Sequence, residues 1–361
     1  MNISFSLSTL LITLVLSLLS SQSFAQTQGQ FFQNIQTSVS ADILASGSLF
    51  PEDDAPVPAY DGLKVRTAEF LFYGPIDQNF DGVVNFAAHS EGDIVFAMPE
   101  VHEAYVQTSK IIPRSRVKLG QYFLGIGRLN KFHQHDWPFI TVPLTQLDIF
   151  DSKEGIIDTG IEYSYLLPTE SYWDLTLGVT NGRTFGHSHG DGPIPLWPTT
   201  YGRLSTYVEP FGLQTETGFS VLYRETNRKL KTTLLGYDIT SKKRYGQILR
   251  YLLQGEVWWK RTKPELGEAS DQLAAYLYGR YGISLNWSTG MRLDYSTVLT
   301  SGSNYQVALE YDVAWQASEF SRFTLAYYQY LSSSKIEGIG KSSQILLQTV
   351  YILGAHPAHE F

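Results

Sequence analysis

From about residue 155 onward, apolar and polar residues alternate one by one along the chain. Trp173, Leu175, Leu177 and Val179 are interleaved with Asp174, Thr176, Gly178 and Thr180. Leu285, Trp287, Met291 and Leu293 alternate with Asn286, Ser288, Gly290, Arg292 and Asp294. Tyr305, Val307, Leu309, Tyr311, Val313 and Trp315 do the same with Gln306, Ala308, Glu310, Asp312 and Gln316. Successive side chains of a β-strand point to opposite faces, so each segment predicts a strand with one apolar and one polar face.

A water-soluble antiparallel sheet carries the same alternation, with its apolar face turned to a core. Length and ends favour lipid instead. The apolar faces often run for roughly 10 to 12 residues, near the about 9 to 11 that a tilted strand needs to cross a bilayer. Strands of soluble proteins average about 5 to 6. Trp173, Trp259, Tyr295, Tyr305, Trp315 and Tyr351 stand at the ends of these faces, where a headgroup-level girdle belongs. The expected fold is therefore all-β, a transmembrane antiparallel β-barrel of about sixteen strands. Their centres fall near residues 38, 67, 85, 105, 121, 161, 176, 205, 219, 235, 254, 276, 291, 310, 325 and 348. Two early stretches fit less well: 63–73 does not alternate cleanly, and 80–106 reads as one long hairpin or as something less regular.

Connections supply an independent check, because barrels of this kind have long extracellular loops and short periplasmic turns. Long connections are expected near 47–60, 128–153, 182–200, 261–269 and 332–342. Short ones are expected at Ile112–Arg114, Leu167–Glu170, Pro210–Gly212, Gly282–Ile283 and Ala317–Ser318. Lys242-Lys243-Arg244, the longest basic run, is expected to be a solvated turn. The order is consistent with a periplasmic entry for the first strand.

Residues 1–25 read as a cleaved secretory signal. The apolar run Leu10–Leu19 precedes the small-residue pattern Ser23-Phe24-Ala25 and the polar Gln26-Thr27-Gln28-Gly29, although the first residues lack Lys or Arg. The competing reading, an uncleaved anchor, needs about 20 apolar residues. Residues 26–361 are expected to form one domain, the barrel. The chain has no cysteine, which excludes thiol catalysis and thiolate metal sites. With 23 Tyr, 20 Phe and 7 Trp it is rich in the residues that favour strands and interfaces. A net charge of −8 without a basic stripe argues against a nucleic-acid partner.

In its signal segment, alternation, loop order and final Phe361, the chain resembles the outer-membrane porins of Gram-negative bacteria over nearly its whole length. The tail departs from their pattern. Gly354-Ala355-His356-Pro357-Ala358-His359-Glu360 stands before the last Phe, and Pro357 cannot donate to a ladder, so the tail is expected to cap the periplasmic rim. The resemblance implies a channel in outer-membrane lipid for passive diffusion of small hydrophilic solutes or ions, with a homotrimer as its assembly. It implies no enzymatic activity and no cofactor. It also places the pore constriction in the loop 128–153, after the fifth strand. That loop holds Asn130-Lys131-Phe132-His133-Gln134-His135-Asp136-Trp137-Pro138-Phe139, whose aromatics and prolines suit a loop packed on the wall.

Six of the eight histidines come in close pairs: His133 with His135, His187 with His189, and His356 with His359. Imidazole and carboxylate are borderline donors suited to Zn²⁺ or Cu²⁺. His133, His135, His187, His189 and Asp191 are the candidate metal ligands, at the extracellular mouth, against the plainer reading that polar loops happen to contain His. Ser188 lacks the G-x-S-x-G elbow of a serine hydrolase. Inward charges of both signs are expected from Asp158, Glu162, Asp174, Glu310 and Asp312 against Arg250, Arg280, Arg292 and Arg322. Either they neutralise one another on a hydrated wall, or they set a transverse field.

Overall fold

The computed structural model describes residues 35–49, 62–90, 99–182, 195–226, 229–300, 305–332 and 342–354. Among these the chain forms sixteen strands. The first five are β1 (Gln36–Ser48), β2 (Gly62–Pro75), β3 (Asp81–His89), β4 (Glu100–Thr108) and β5 (Ser115–Phe123). β6 (Ile157–Leu166), β7 (Tyr172–Thr180), β8 (Thr199–Val208), β9 (Gln214–Glu225), β10 (Lys231–Tyr245) and β11 (Ile248–Lys263) follow. The last are β12 (Ser270–Gly282), β13 (Trp287–Val298), β14 (Tyr305–Ser318), β15 (Ser321–Ser332) and β16 (Ser342–Gly354). Every strand pairs antiparallel with its chain neighbours, and β1 closes the barrel on β16 from Ser38↔Gly354 to Ser48↔Gln344. Closure leaves no strand edge unpaired, as a hydrocarbon surrounding demands.

Burial runs opposite to that of a soluble protein. On β13, Leu293 is 51% exposed while its neighbour Arg292 is 0% exposed. Met291, Leu293 and Tyr295 face out, and Arg292, Asp294 and Ser296 are buried inside. Leu177, Val179, Phe219, Val221, Leu253, Leu277, Leu325 and Leu347 continue the outward apolar belt around the barrel. Trp287, Trp315 and Phe323 stack nearly parallel across three strands, with centroids 6.0 and 5.3 Å apart, forming part of an aromatic girdle.

The two rims differ as expected. One carries short turns, among them the two-residue Gly246-Gln247 between β10 and β11, with Gly246 at φ 61°. The start of β1 and the end of β16 lie at this short-turn rim. The other rim carries the long loops. Two expectations are corrected here. Lys242-Lys243-Arg244 is not a turn but the continuation of β10, paired with Leu252, Tyr251 and Leu249 on β11; the chain reverses only at Gly246. Ala317–Ser318 still belongs to β14, and the turn there is Glu319-Phe320. The tail 355–361 and the segment 1–34 lie outside the described residues.

The segments that failed to alternate contain bulges. Opposite β1, the register passes from Thr67↔Asp42 to Val65↔Ile43, so Arg66 is an extra residue in β2. Opposite β3 it passes from Glu103↔Asn85 to Val101↔Phe86, so His102 is an extra residue in β4. A bulge shifts the phase of a strand and re-aims a side chain. Arg250 is the extra residue of a third bulge, in β11. Contrary to expectation it serves the short-turn rim, where its guanidinium donates to Gly282 O at 2.7 Å and lies over the Tyr281 ring.

Candidate pore and the histidine cluster in its wall

Residues 124–156, between β5 and β6, fold into the lumen, a segment slightly longer than the expected constriction loop 128–153. The loop has no strand ladder, so its backbone groups need other partners. Wall side chains provide them. The Glu256 carboxylate accepts the N–H groups of Arg128 (2.8 Å) and Leu129 (2.7 Å). Glu310 accepts those of Ile140 (2.7 Å) and Thr141 (3.0 Å). Arg66, Arg292 and Arg322 donate to the carbonyls of Ile140, Thr141 and His135 at 2.7, 2.6 and 2.8 Å. Several inward charges read from the sequence thus act neither as a balanced hydrated wall nor as a bare field: they hold the loop.

Apolar packing completes the seat. Ile126, Ile149, Phe150 and Ile156 join Tyr201, Leu222, Leu234 and Trp258 of the wall. Ile140 and Leu144 pack with Leu44, Tyr328 and Leu346, while Trp137 and Phe139 pack with Tyr276 and Tyr278. Gly127, at φ 60°, passes so close to the wall that a Cβ there would lie 2.8 Å from the Trp258 ring and 2.9 Å from Glu256.

Beneath the loop lies a cavity of about 900 Å³, lined by β4 to β9 and running to the short-turn rim at Arg114 and Tyr207. Its cations are Arg114, Arg116, Lys118, Arg128, Lys131 and Arg203. Four carboxylates face them: Glu103, Glu162, Asp174 and Glu216. Arg203 bridges Asp238 (2.8 Å) and Glu216 (3.1 Å), Arg128 meets Glu216 at 3.0 Å, and Lys118 meets Glu162 at 3.6 Å. Burial, together with the charge of Arg203, pulls the Lys131 ammonium down to about 8. Fixed charge of both signs therefore lines the cavity.

Above this cavity four imidazoles form a ladder. His89 stacks on His102 (centroids 4.8 Å), His102 on His133 (6.2 Å), and His133 on His135 (5.6 Å). Glu69 of β2 contacts Nδ1 of both His133 and His135 at 3.1 Å. Glu103 contacts His133 Nε2 at 3.1 Å, and Asp136 contacts His135 Nε2 at 3.4 Å. At the far end, Glu154 lies 2.9 Å from His89 Nδ1 and 3.5 Å from His102 Nε2. Burial acts to lower the His133 imidazole, but the charge of Glu69 and hydrogen bonds to Glu103 and Glu69 outweigh it, holding it well above its ordinary 6.5. His135 is raised in the same way, against burial, by Asp136 and Glu69.

His133 and His135 are therefore placed in the lumen as ion-pair partners of wall carboxylates. His187, His189 and Asp191 lie outside the described residues, so the five proposed ligands are not brought together in what is described. The sequence reading missed His89 and His102, the two histidines outside the close pairs, and Glu69, Glu103 and Glu154. The broken alternation at 80–106 was the available signal: the bulge at His102 lets both His102 and Glu103 serve the lumen side.

No family model matches the chain. It is 26% identical over 342 residues, covering 83% of this chain and 70% of the other, to an uncharacterized protein of Aquifex aeolicus. Among solved structures, OprB of Pseudomonas putida superposes with TM-score 0.61 at 9% identity, over 91% of this chain and 96% of that one. The outer-membrane channel DcaP of Acinetobacter baumannii gives 0.60 at 11%, over 89% and 96%. The trimer form of OmpT from Vibrio cholerae gives 0.58 at 8%, over 88% and 99%. The chain has the porin fold.

Proposed function

We propose that the protein is a channel in the outer membrane of a Gram-negative bacterium through which small hydrophilic solutes or ions diffuse passively. The observation that carries this reading is the polar cavity of about 900 Å³ between β4–β9 and the inserted loop, inside a closed barrel with an apolar outer belt. Sixteen strands enclose an aqueous lumen, and the loop narrows it. In this reading residues 1–25 are removed on export, the short-turn rim faces the periplasm, and three copies associate as in the trimer form of the Vibrio OmpT.

The test is single-channel recording on refolded residues 26–361 in a planar bilayer. Discrete conductance steps in potassium chloride are expected. A folded protein that inserts yet passes no current at any voltage overturns the reading. For orientation, a cysteine placed at Gly267 reacts with an impermeant label on intact cells, and one at Pro210 is protected; the reverse pattern inverts the topology.

A further inference from the structure

We infer that His89, His102 and Glu154 form a site for one divalent transition-metal ion, which fastens the returning end of the lumen loop to the barrel wall. The site is distinct from the loop histidines singled out in the sequence and stands apart from the channel reading.

The three ligands come from three segments: the last residue of β3, the bulge residue of β4, and the loop just before β6. One donor atom of each lies within 4.8 Å of the others. His89 Nε2 and His102 Nε2 face each other at 2.8 Å, and Glu154 Oε2 is 3.5 Å from His102 Nε2. Zn–N and Zn–O bonds of about 2.0–2.1 Å in a tetrahedron put neighbouring ligand atoms about 3.3 Å apart. These two spacings straddle that value, while the third donor pair is held only within 4.8 Å, so closing on an ion needs the Glu154 carboxylate to move by up to about 1.5 Å. Two imidazole nitrogens that face one another can share a single proton between them. A divalent cation is the other species that both lone pairs, and the carboxylate beside them, can address.

The donors are also held in place. Glu154 sits in a turn built by Ser152, whose Oγ donates to Gly155 O (2.8 Å) and accepts the N–H groups of Glu154 (3.2 Å) and Gly155 (3.0 Å). Gly155, at φ 108°, passes where a Cβ would meet Asn130 Oδ1 at 2.7 Å. Asn130 in turn donates to Leu124 O at 2.7 Å and accepts from Ile156 N–H at 2.5 Å, pinning the loop's two ends together. The Phe123 ring meets the edge of His102 (6.3 Å). Thr67 Oγ1 lies 3.3 Å from His89 Nδ1, an outer partner that orients a ligating imidazole, while Glu154, 2.9 Å from the same nitrogen, turns from it to the ion on binding.

The donor set decides the class of ion. Two imidazoles and one carboxylate suit Zn²⁺ and its first-row neighbours, whereas Ca²⁺ and Mg²⁺ want oxygen alone. The wider cluster fits the same division. His133 and His135 pair with Glu69, Glu103 and Asp136, while Glu154 faces His89 and His102. An ion here joins β3 and β4 to the end of the loop and removes play from the segment 150–156.

The test is calorimetric titration of Zn²⁺ into the refolded, chelator-treated barrel. A starting chain carrying His187→Ala, His189→Ala, His356→Ala and His359→Ala removes the two other close pairs of the sequence. It is expected to bind one Zn²⁺ per chain. Adding His89→Ala with His102→Ala abolishes the heat, and Glu154→Gln weakens binding by about tenfold or more. His133→Ala with His135→Ala leaves one Zn²⁺ bound. No Zn²⁺ binding by the starting chain, or full stoichiometry after loss of His89 and His102, overturns the assignment. Should the His89, His102 or Glu154 variants not fold, Co²⁺ on the starting chain is read by X-ray absorption. Two imidazoles in the first shell support the site, and a shell of oxygens alone overturns it. Conductance plays no part in these readouts, so this inference and the channel reading fail separately.

Discussion

Glu256 on β11 accepts hydrogen bonds from two consecutive backbone N–H groups, those of Arg128 and Leu129, at 2.8 and 2.7 Å. One inward-facing carboxylate thereby closes the first turn of a loop that lies about 130 residues earlier in the chain. The Trp258 indole donates to the same carboxylate at 2.7 Å. Replacing Glu256 by Ala strands these donors in a buried place, at a cost of about 1.5–3 kcal/mol for each hydrogen bond to a charged group. We expect Glu256→Ala to leave the barrel folded but to loosen the loop. Limited proteolysis should then cut within 124–156, and the single-channel current should become larger and noisier. A resistant loop with unchanged current contradicts this account of how it is seated.

The outward belt yields a second prediction. Leu177 and Leu293 are both about half exposed on the outer face. Arg at either position is expected to lower stability by about 2–4 kcal/mol if it lies near the bilayer midplane. Urea titration of barrels folded into vesicles measures this. Neutral outcomes at both positions would mean that the belt does not face hydrocarbon.

The ion pairs of His133 and His135 with Glu69 make the loop's anchorage pH-dependent. Their folded-state values are raised above the ordinary 6.5, so charged histidine is favoured by folding. The resulting stabilisation is complete below about pH 6.5 and is lost as pH climbs through the raised folded values. Amide exchange in the loop is therefore expected to show greater protection at pH 6 than at pH 9, after correction for intrinsic rates. His133→Gln should flatten that difference. Equal protection in the unsubstituted protein across the range rules the mechanism out.

Lys131 provides a separate titration inside the cavity. With its ammonium lowered to about 8 by burial and by Arg203, it is a cation at neutral pH and neutral in mildly alkaline solution. Ion selectivity, read as reversal potential across a potassium chloride gradient, is expected to move toward cations as pH rises through about 8. Lys131→Gln should show the alkaline selectivity already at pH 7. If the reversal potential of that variant still swings with the unsubstituted protein, another group is responsible.

Which faces meet lipid and which meet the lumen was legible in the sequence. Alternation such as Met291, Arg292, Leu293, Asp294 is a property of the strand itself, since successive side chains must take opposite sides. Strand centres, the alternation of long and short connections, and the inserted loop after the fifth strand followed from that local rule together with the porin resemblance. Where the rule broke, at 63–73 and 80–106, single extra residues shift the phase. Arg66 and His102 are those residues, and both then serve the loop or its anchorage.

What only the closed barrel decided is which residues meet across the lumen. Gly282 and Ile283 mark a turn by local chemistry, but nothing near Ile140 announces Glu310, 170 residues later. His133 and His135 look like a ligand pair in the sequence, yet in the lumen they answer Glu69 and Glu103, strands away. His89, His102 and Glu154 share no local pattern at all. Their meeting depends on the β3–β4 register, the bulge that turns His102, and the return of the loop to the wall. Such contacts arise from closure of the sheet on itself, and short-range periodicity carries no record of them.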